Sequence, residues 1–356
     1  MAMFSEIFCL LGSVTLFLFG LKKTSRDVGE LGGGKHAGVI RAATGNRCFA
    51  VLAGALSTAV LQSSVATNMI AITFVEKGII DFVACAAVIM GTNIGTTVTA
   101  QLVSLSSVFD FEPGAIGGLF AFSGLILTFL KSEKVKKAGG AALGFGFLFI
   151  GLSLMTSAAS GLKKYYWFTS LFLVENPFVL FLNGIVVTAV LQSSSVVTGM
   201  LIVLSSVGLI SFDTSIFLIL GANVGTCLPV IFASADLRDE ARKAAWFNLA
   251  FNVFGSALFF IPLLISPSVV FKIPFLSGED IGRNIANFHT FFNTVVCVVL
   301  LPILKPFCGF VEKIFAFAPI PKKKRRVFPG SKKEKKPCAA FFKTKKNKTD
   351  NPLKIV

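Results

Sequence analysis

Long apolar runs follow one another along the chain, separated by short polar stretches. The first predicts a helix over about 6–21, and a basic linker leads to a second apolar segment, 48–75. Gln62-Ser63-Ser64 interrupts the middle of that segment, where an ordinary membrane span is apolar. Two further apolar stretches follow, 81–103 and 114–130. The same order of parts then returns: a helix over 139–160, a linker, a polar-centred segment over 177–206, and apolar stretches over 215–235 and 244–266. A last apolar helix, about 285–304, precedes a strongly basic tail.

The repetition is literal at three places. Thr58-Ala59-Val60-Leu61-Gln62-Ser63-Ser64 recurs as Thr188-Ala189-Val190-Leu191-Gln192-Ser193-Ser194, a spacing of 130 residues. Gly91-Thr92-Asn93-Ile94-Gly95-Thr96 recurs as Gly221-Ala222-Asn223-Val224-Gly225-Thr226 at the same spacing. Phe17-Leu18-Phe19 and Phe147-Leu148-Phe149 keep it as well. Two copies of one unit are therefore expected over 1–133 and 134–266. A final transmembrane helix with an interfacial segment is expected over 267–321, and a disordered basic tail over 322–356.

Basic residues fix the expected orientation, because cytoplasmic loops carry an excess of Lys and Arg. Linker 22–47 holds six of them and linker 131–138 four, so both are expected inside. Three apolar segments lie between the linkers, and an odd number of crossings cannot join two points on one side. One segment must turn back, and 48–75 is the candidate because its centre is polar. Each unit then crosses three times, so the second copy inserts upside down. The resulting inside loops and tail hold 28 Lys/Arg, against 4 outside. The expected fold is an all-α integral membrane protein with two inverted-topology repeats. Each repeat carries a re-entrant helical hairpin and about three spanning helices, and a final transmembrane helix follows.

Composition agrees with insertion into a bilayer. Of the 356 residues 54% are apolar and only 15% charged, well below the roughly 25% of a soluble domain. The net charge of +16 belongs mostly to the tail, where 14 Lys/Arg face 2 Asp/Glu. The opening run lacks a basic n-region and ends in Lys22-Lys23, so it is expected to be a retained span rather than a signal peptide. The seven cysteines show no paired spacing, which argues against a disulfide framework or a transition-metal site. Carboxylates are scarce at membrane depth, which gives a relay of buried acids little support.

Polar clusters at membrane depth need a reason, since each unsatisfied group in hydrocarbon costs several kcal/mol. Gln-Ser-Ser offers an amide and two hydroxyls. If the hairpin breaks there, the free N–H groups at a half-helix N-terminus add positive partial charge, which makes a cradle for an oxyanion. Oxygens in the same break suit a hard cation such as Na⁺. The Gly-x-Asn-x-Gly-Thr motif supplies two flexible backbone positions, an amide and a hydroxyl.

The paired Gln-Ser-Ser and Gly-x-Asn-x-Gly-Thr motifs resemble those of the type II sodium–phosphate cotransporters and their bacterial relatives, over roughly residues 10–300. The resemblance implies a sodium-coupled symporter of inorganic phosphate, with Na⁺ as coupling ion and no cofactor. It implies a phosphate site between the tips, at Gln62, Ser63, Ser64, Gln192, Ser193, Ser194 and Ser195. Na⁺ ligands are expected among Thr67, Asn68, Thr92, Asn93, Thr96, Asn223 and Thr226. Val65 departs from the pattern by standing where a third serine is expected, so one hydroxyl ligand is expected to be missing or supplied by Thr67 or Asn68. His289-Thr290-Phe291-Phe292-Asn293 fits a family pattern that Asn248-Leu249-Ala250-Phe251-Asn252 meets without the histidine. His289 is expected as a structural hydrogen-bonder, and Asn252 and Asn293 as packing residues. No soluble phosphate-regulatory domain is expected after the last helix.

A transporter rather than an enzyme is thus expected, in the plasma membrane with a cytoplasmic tail held near anionic lipid. The tail's Lys322–Arg326 run is not read as a nucleic-acid patch. The oligomeric state is left open, with a homodimer as one candidate. Rival readings are a carrier of sulfate, arsenate or a small organic anion, an intramembrane serine hydrolase, and a passive channel. The hydrolase is disfavoured because the serines sit in duplicated motifs while His289 has no counterpart and no activating acid accompanies it.

Overall fold

The computed structural model describes residues 2–32, 35–43, 45–108, 112–170, 172–266 and 272–317. The basic tail expected over 322–356 lies outside the described residues. The described residues hold fifteen α-helices, one 3-10 turn at Pro274–Leu276, and no strand. Within residues 1–133, the expected first repeat, lie α1 (Ala2–Leu31), α2 (Lys35–Ala43), α3 (Arg47–Leu61), α4 (Ser64–Glu76), α5 (Phe82–Val108) and α6 (Pro113–Thr128). Then come α7 (Glu133–Leu162), α8 (Tyr166–Ser170), α9 (Pro177–Leu191), α10 (Ser194–Ser206), α11 (Phe212–Gly225), α12 (Cys227–Ser234) and α13 (Asp239–Ile265). The last two are α14 (Ile281–Leu300) and α15 (Leu304–Phe317).

This is an all-α integral membrane protein. Helices α1, α5, α7, α13 and the pair α11–α12 are each long and apolar enough to cross a bilayer. The 130-residue spacing holds at the ends of elements: α3, α4 and α5 begin at 47, 64 and 82, and α9, α10 and α11 at 177, 194 and 212. Gly78 and Gly208, at the same spacing, end the turns after α4 and α10 with φ of +68° and +69°.

Glycine contacts give the helix directions. Gly91 abuts the carbonyl of Val51, and Gly95 that of Ala55, so α3 and α5 run parallel in matched register. Helix α4 lies between them in sequence and pairs Asn68 with Thr92 of α5, so it returns antiparallel. Helices α3 and α4 thus form a helical hairpin, the shape expected of a re-entrant segment. In the second repeat Gly221 abuts Phe181 and Gly225 abuts Ile185, which makes α9 and α11 parallel in the same way.

The counterparts α1 and α7 pack against each other in opposite directions. A Cβ at Gly151 would stand 2.6 Å from the Phe17 amide nitrogen, and one at Gly144 would stand 2.6 Å from that of Thr24. Such backbone contact through small residues is how helices associate where lipid removes the hydrophobic drive. Phe17 is fully buried at this crossing and also faces Gly199 of α10.

Four sequence expectations are corrected. The basic linker 22–47 is largely helical: α1 runs on to Leu31, held by the i,i+4 pairs Lys23–Asp27 (2.9 Å) and Arg26–Glu30 (4.0 Å). The basic stretch 131–138 is mostly the first turns of α7 rather than a loop. The last span ends at Leu300, not 304, and bends by 91° into α15. The stretch 215–235 is two helices that part at Thr226, because Pro229 has no N–H to give the Gly225 carbonyl. Position 99, its counterpart, is Thr, and α5 runs through unbroken.

Candidate functional site

Each hairpin breaks at its glutamine. Gln62 closes α3 at φ 49°, ψ 28°, and Gln192 closes α9 at φ 57°, ψ 25°. Among the described residues they are the only non-glycine residues with positive φ. L-residues pay for that left-handed region, so its occurrence at two matched positions marks the tips as constrained sites. Ser63 and Ser193 then turn to extended backbone, φ −146° and −157°, and start the return helices.

The two breaks meet. Gln62, Ser63, Ser64 and Val65 share a cavity of about 300 Å³ with Gln192, Ser193, Ser194 and Ser195. Its wall runs from exposed Gln192 to buried Ser194 and Ser195. All seven residues expected at the substrate site therefore line one space. Val65 faces that space itself, while Thr67 and Asn68 are buried behind it.

The tips differ in how their return helices are capped. Ser63 Oγ accepts from the Ala66 N–H at 3.2 Å, whereas Ser193 makes no side-chain cap. The first-turn N–H groups of α10 are thereby left for whatever occupies the cavity. Gln62 Oε1 is buried without a hydrogen-bond partner. So are Thr58 Oγ1 and Thr188 Oγ1, one turn earlier on α3 and α9.

The residues expected around Na⁺ fall into two groups. In the first, Thr92 Oγ1 stands 2.8 Å from Asn68 Oδ1 and 2.7 Å from the Ile89 carbonyl oxygen. Asn93 Nδ2 donates to Ile89 O at 3.0 Å, and Thr96 Oγ1 donates to Thr92 O at 2.8 Å. Thr67 Oγ1 donates to Ser63 O at 3.1 Å, tying this group to the first tip. Ser195 Oγ donates to Thr96 O at 3.4 Å, tying it to the second.

The second group lies around Asn223. Its Nδ2 donates to Asn293 Oδ1 at 3.3 Å, and its Oδ1 lies 3.4 Å from His289 Nε2. Thr226 Oγ1 donates to Ala222 O at 2.9 Å. His289 and Asn293 are fully buried partners of Asn223 on α14. The glycines of the first Gly-x-Asn-x-Gly-Thr motif do not loosen the backbone, as the sequence suggested. Helix α5 is continuous there, and Gly91 and Gly95 instead admit the carbonyls of α3.

Sequence reasoning missed a third wall. Leu18, Leu21, Lys22, Ser25 and Arg26 of α1 line the cavity, and Pro229 joins them from α12. The signal was present as apolar and polar positions three and four apart, continuing past the charges counted as linker. Ser25 Oγ donates to the Leu61 carbonyl and so pins α1 to the first tip.

A family model described as Na+/Pi-cotransporter matches residues 16–157 and 169–273. The Bacillus subtilis protein named "Uncharacterized protein YqeW" is 30% identical over 261 residues, covering 72% of this chain and 81% of its own. The Escherichia coli protein named "Putative inorganic phosphate export protein YjbB" is 26% identical over 321 residues. That match takes in 87% of this chain but only 56% of the relative. "Sodium-dependent phosphate transport protein 2A" of Rattus norvegicus is 35% identical over 104 residues, 28% of this chain and 16% of its own. No solved structure matches the chain.

Proposed function

The chain belongs to the Na+/Pi-cotransporter family, and on that premise we propose that it is a Na⁺-coupled carrier of inorganic phosphate. The observation that carries this reading is the meeting of two matched Gln-Ser-Ser breaks in one cavity whose lining, among the described residues, has no carboxylate. Amides, hydroxyls and the N–H groups starting α10 would hold the anion. The spare oxygens of Gln62, Thr58 and Thr188, with the Asn68–Thr92 and Asn223–Thr226 groups, would serve Na⁺. Residues 1–133 and 134–266 would act as inverted copies, exchanging roles as the site faces one side and then the other. The opposed α1 and α7 support that symmetry. We place the carrier in the plasma membrane with Lys22 and the tail on the cytoplasmic side, following the positive-inside bias.

Proteoliposomes test this directly. Purified protein should take up ³²P-phosphate down an imposed Na⁺ gradient, with saturation and with loss of uptake when K⁺ replaces Na⁺. Gln192→Ala or Ser194→Ala should abolish uptake while expression and monodispersity stay normal. Wild-type rates from both variants would remove the site assignment. Stronger competition by sulfate than by unlabelled phosphate would reassign the substrate.

A further inference from the structure

The α1 wall carries charge that the two tips lack. Arg26 is already compensated, its Nε lying 3.2 Å from Asp27 Oδ1 and 4.0 Å from Glu30 Oε1. Lys23 is held by Asp27 at 2.9 Å. Lys22 lines the cavity, is exposed, and has no ion pair or hydrogen bond among the described residues. Among the described residues it is the uncompensated cation of a cavity wall without Asp or Glu.

The second copy carries no charge at the matched positions. The 130-residue spacing sets Leu152, Met155 and Thr156 opposite Lys22, Ser25 and Arg26. Leu152 and Met155 are only 3% and 1% exposed, and Thr156 Oγ1 donates to the Leu152 carbonyl at 3.0 Å. If the copies exchange roles, the site's opposite entrance is walled by these uncharged residues.

We infer that the carrier has a one-sided electrostatic vestibule, in which Lys22 draws the oxyanion toward the tips from the face this cavity opens to, with no cation at the matched positions of the second copy. The inference rests on the reading of the tips as a shared oxyanion site. Lys22 is a positioning residue: it raises the local anion concentration at the mouth and speeds encounter without joining the site. The apparent affinity for phosphate is therefore higher on the Lys22 face, which the positive-inside bias makes cytoplasmic. Coupling thermodynamics are untouched, because a fixed protein charge changes rates and saturation, not the ion gradients.

The experiment compares Na⁺-dependent ³²P-phosphate uptake in right-side-out and inside-out membrane vesicles. On the Lys22 face, Lys22→Ala should raise KM about five- to tenfold, the size of one charge acting across several ångströms of partly solvated cavity. Lys22→Glu should raise it further and Lys22→Arg should restore it, with KM changing more than kcat in each. On the opposite face all three should match wild type. Wild-type KM should also rise with added KCl on the Lys22 face alone, as an exposed charge is screened, a measurement that needs no variant. Equal shifts on both faces, or none, would overturn the vestibule while leaving the carrier reading intact. Wild-type vesicles that carry no phosphate would overturn the carrier reading and the vestibule with it.

Discussion

Replacing both tip glutamines by glycine separates what the backbone needs from what the substrate needs. Gln62 and Gln192 sit at φ 49° and 57°, where an L-residue is strained by roughly 1–2 kcal/mol. Glycine removes that strain but adds about 0.5–1 kcal/mol of freedom to the unfolded chain. The net is a gain of about 0–1.5 kcal/mol per site, so Gln62→Gly/Gln192→Gly should melt at or slightly above the wild-type temperature. Transport should behave in the opposite way. Each lost amide removes a hydrogen bond to a charged ligand, about 1.5–3 kcal/mol, or roughly 10- to 150-fold in kcat/KM. The assay pairs a detergent-solubilised melting curve with proteoliposome phosphate uptake for wild type, both single variants and the double. Gln192→Val, a β-branched residue at positive φ, supplies the contrast and should lower the melting temperature. Near-wild-type uptake by the double glycine variant would show that the amides are not ligands. A large drop in its melting temperature would show that the left-handed turns are not where the strain lies.

Three further outcomes follow from the same geometry. Ser63→Ala should cost about 1 kcal/mol of stability because Ser63 caps α4, while Ser193→Ala, which removes no cap, should leave the melting curve in place and weaken transport. Gly91→Ala and Gly221→Ala would each drive a methyl into a carbonyl of the neighbouring helix and should destabilise by about 1–3 kcal/mol, read as lost monodispersity on heating. Thr92→Val, which cuts the α4–α5 link to Asn68, should raise the Na⁺ concentration for half-maximal uptake more than it raises the phosphate KM. An equal rise in the two would count against a Na⁺ role for that group.

Much of this architecture was legible in the sequence, because a duplicated chain states each feature twice. Gln-Ser-Ser in the middle of an apolar run marked a break, and its second copy fixed the spacing that the elements keep. The helical reach of Lys22, Arg26 and Asp27 was hidden, since charge was taken as the end of a span. Salt links within one helix let it continue where hydropathy alone says stop. The glycines of Gly91-Thr92-Asn93-Ile94-Gly95-Thr96 were read for freedom when their task is closeness, a distinction that depends on what packs opposite them. The bend between α14 and α15 carries a signal in Pro302, which has no N–H for a continuing helix, rather than in any polar break. That Asn223 meets His289 and Asn293 of α14 could not be read from spacing, because α14 lies beyond the stretch in which the 130-residue spacing of matched motifs holds.

The proline at position 229, opposite Thr99, bears on how the empty protein rests. A carrier built from two identical halves would be degenerate, idling for equal times toward either compartment. An interrupted helix in one half and an unbroken one in the other lift that degeneracy. On the carrier reading, that difference would give the unloaded molecule a preferred orientation before any ion gradient acts on it.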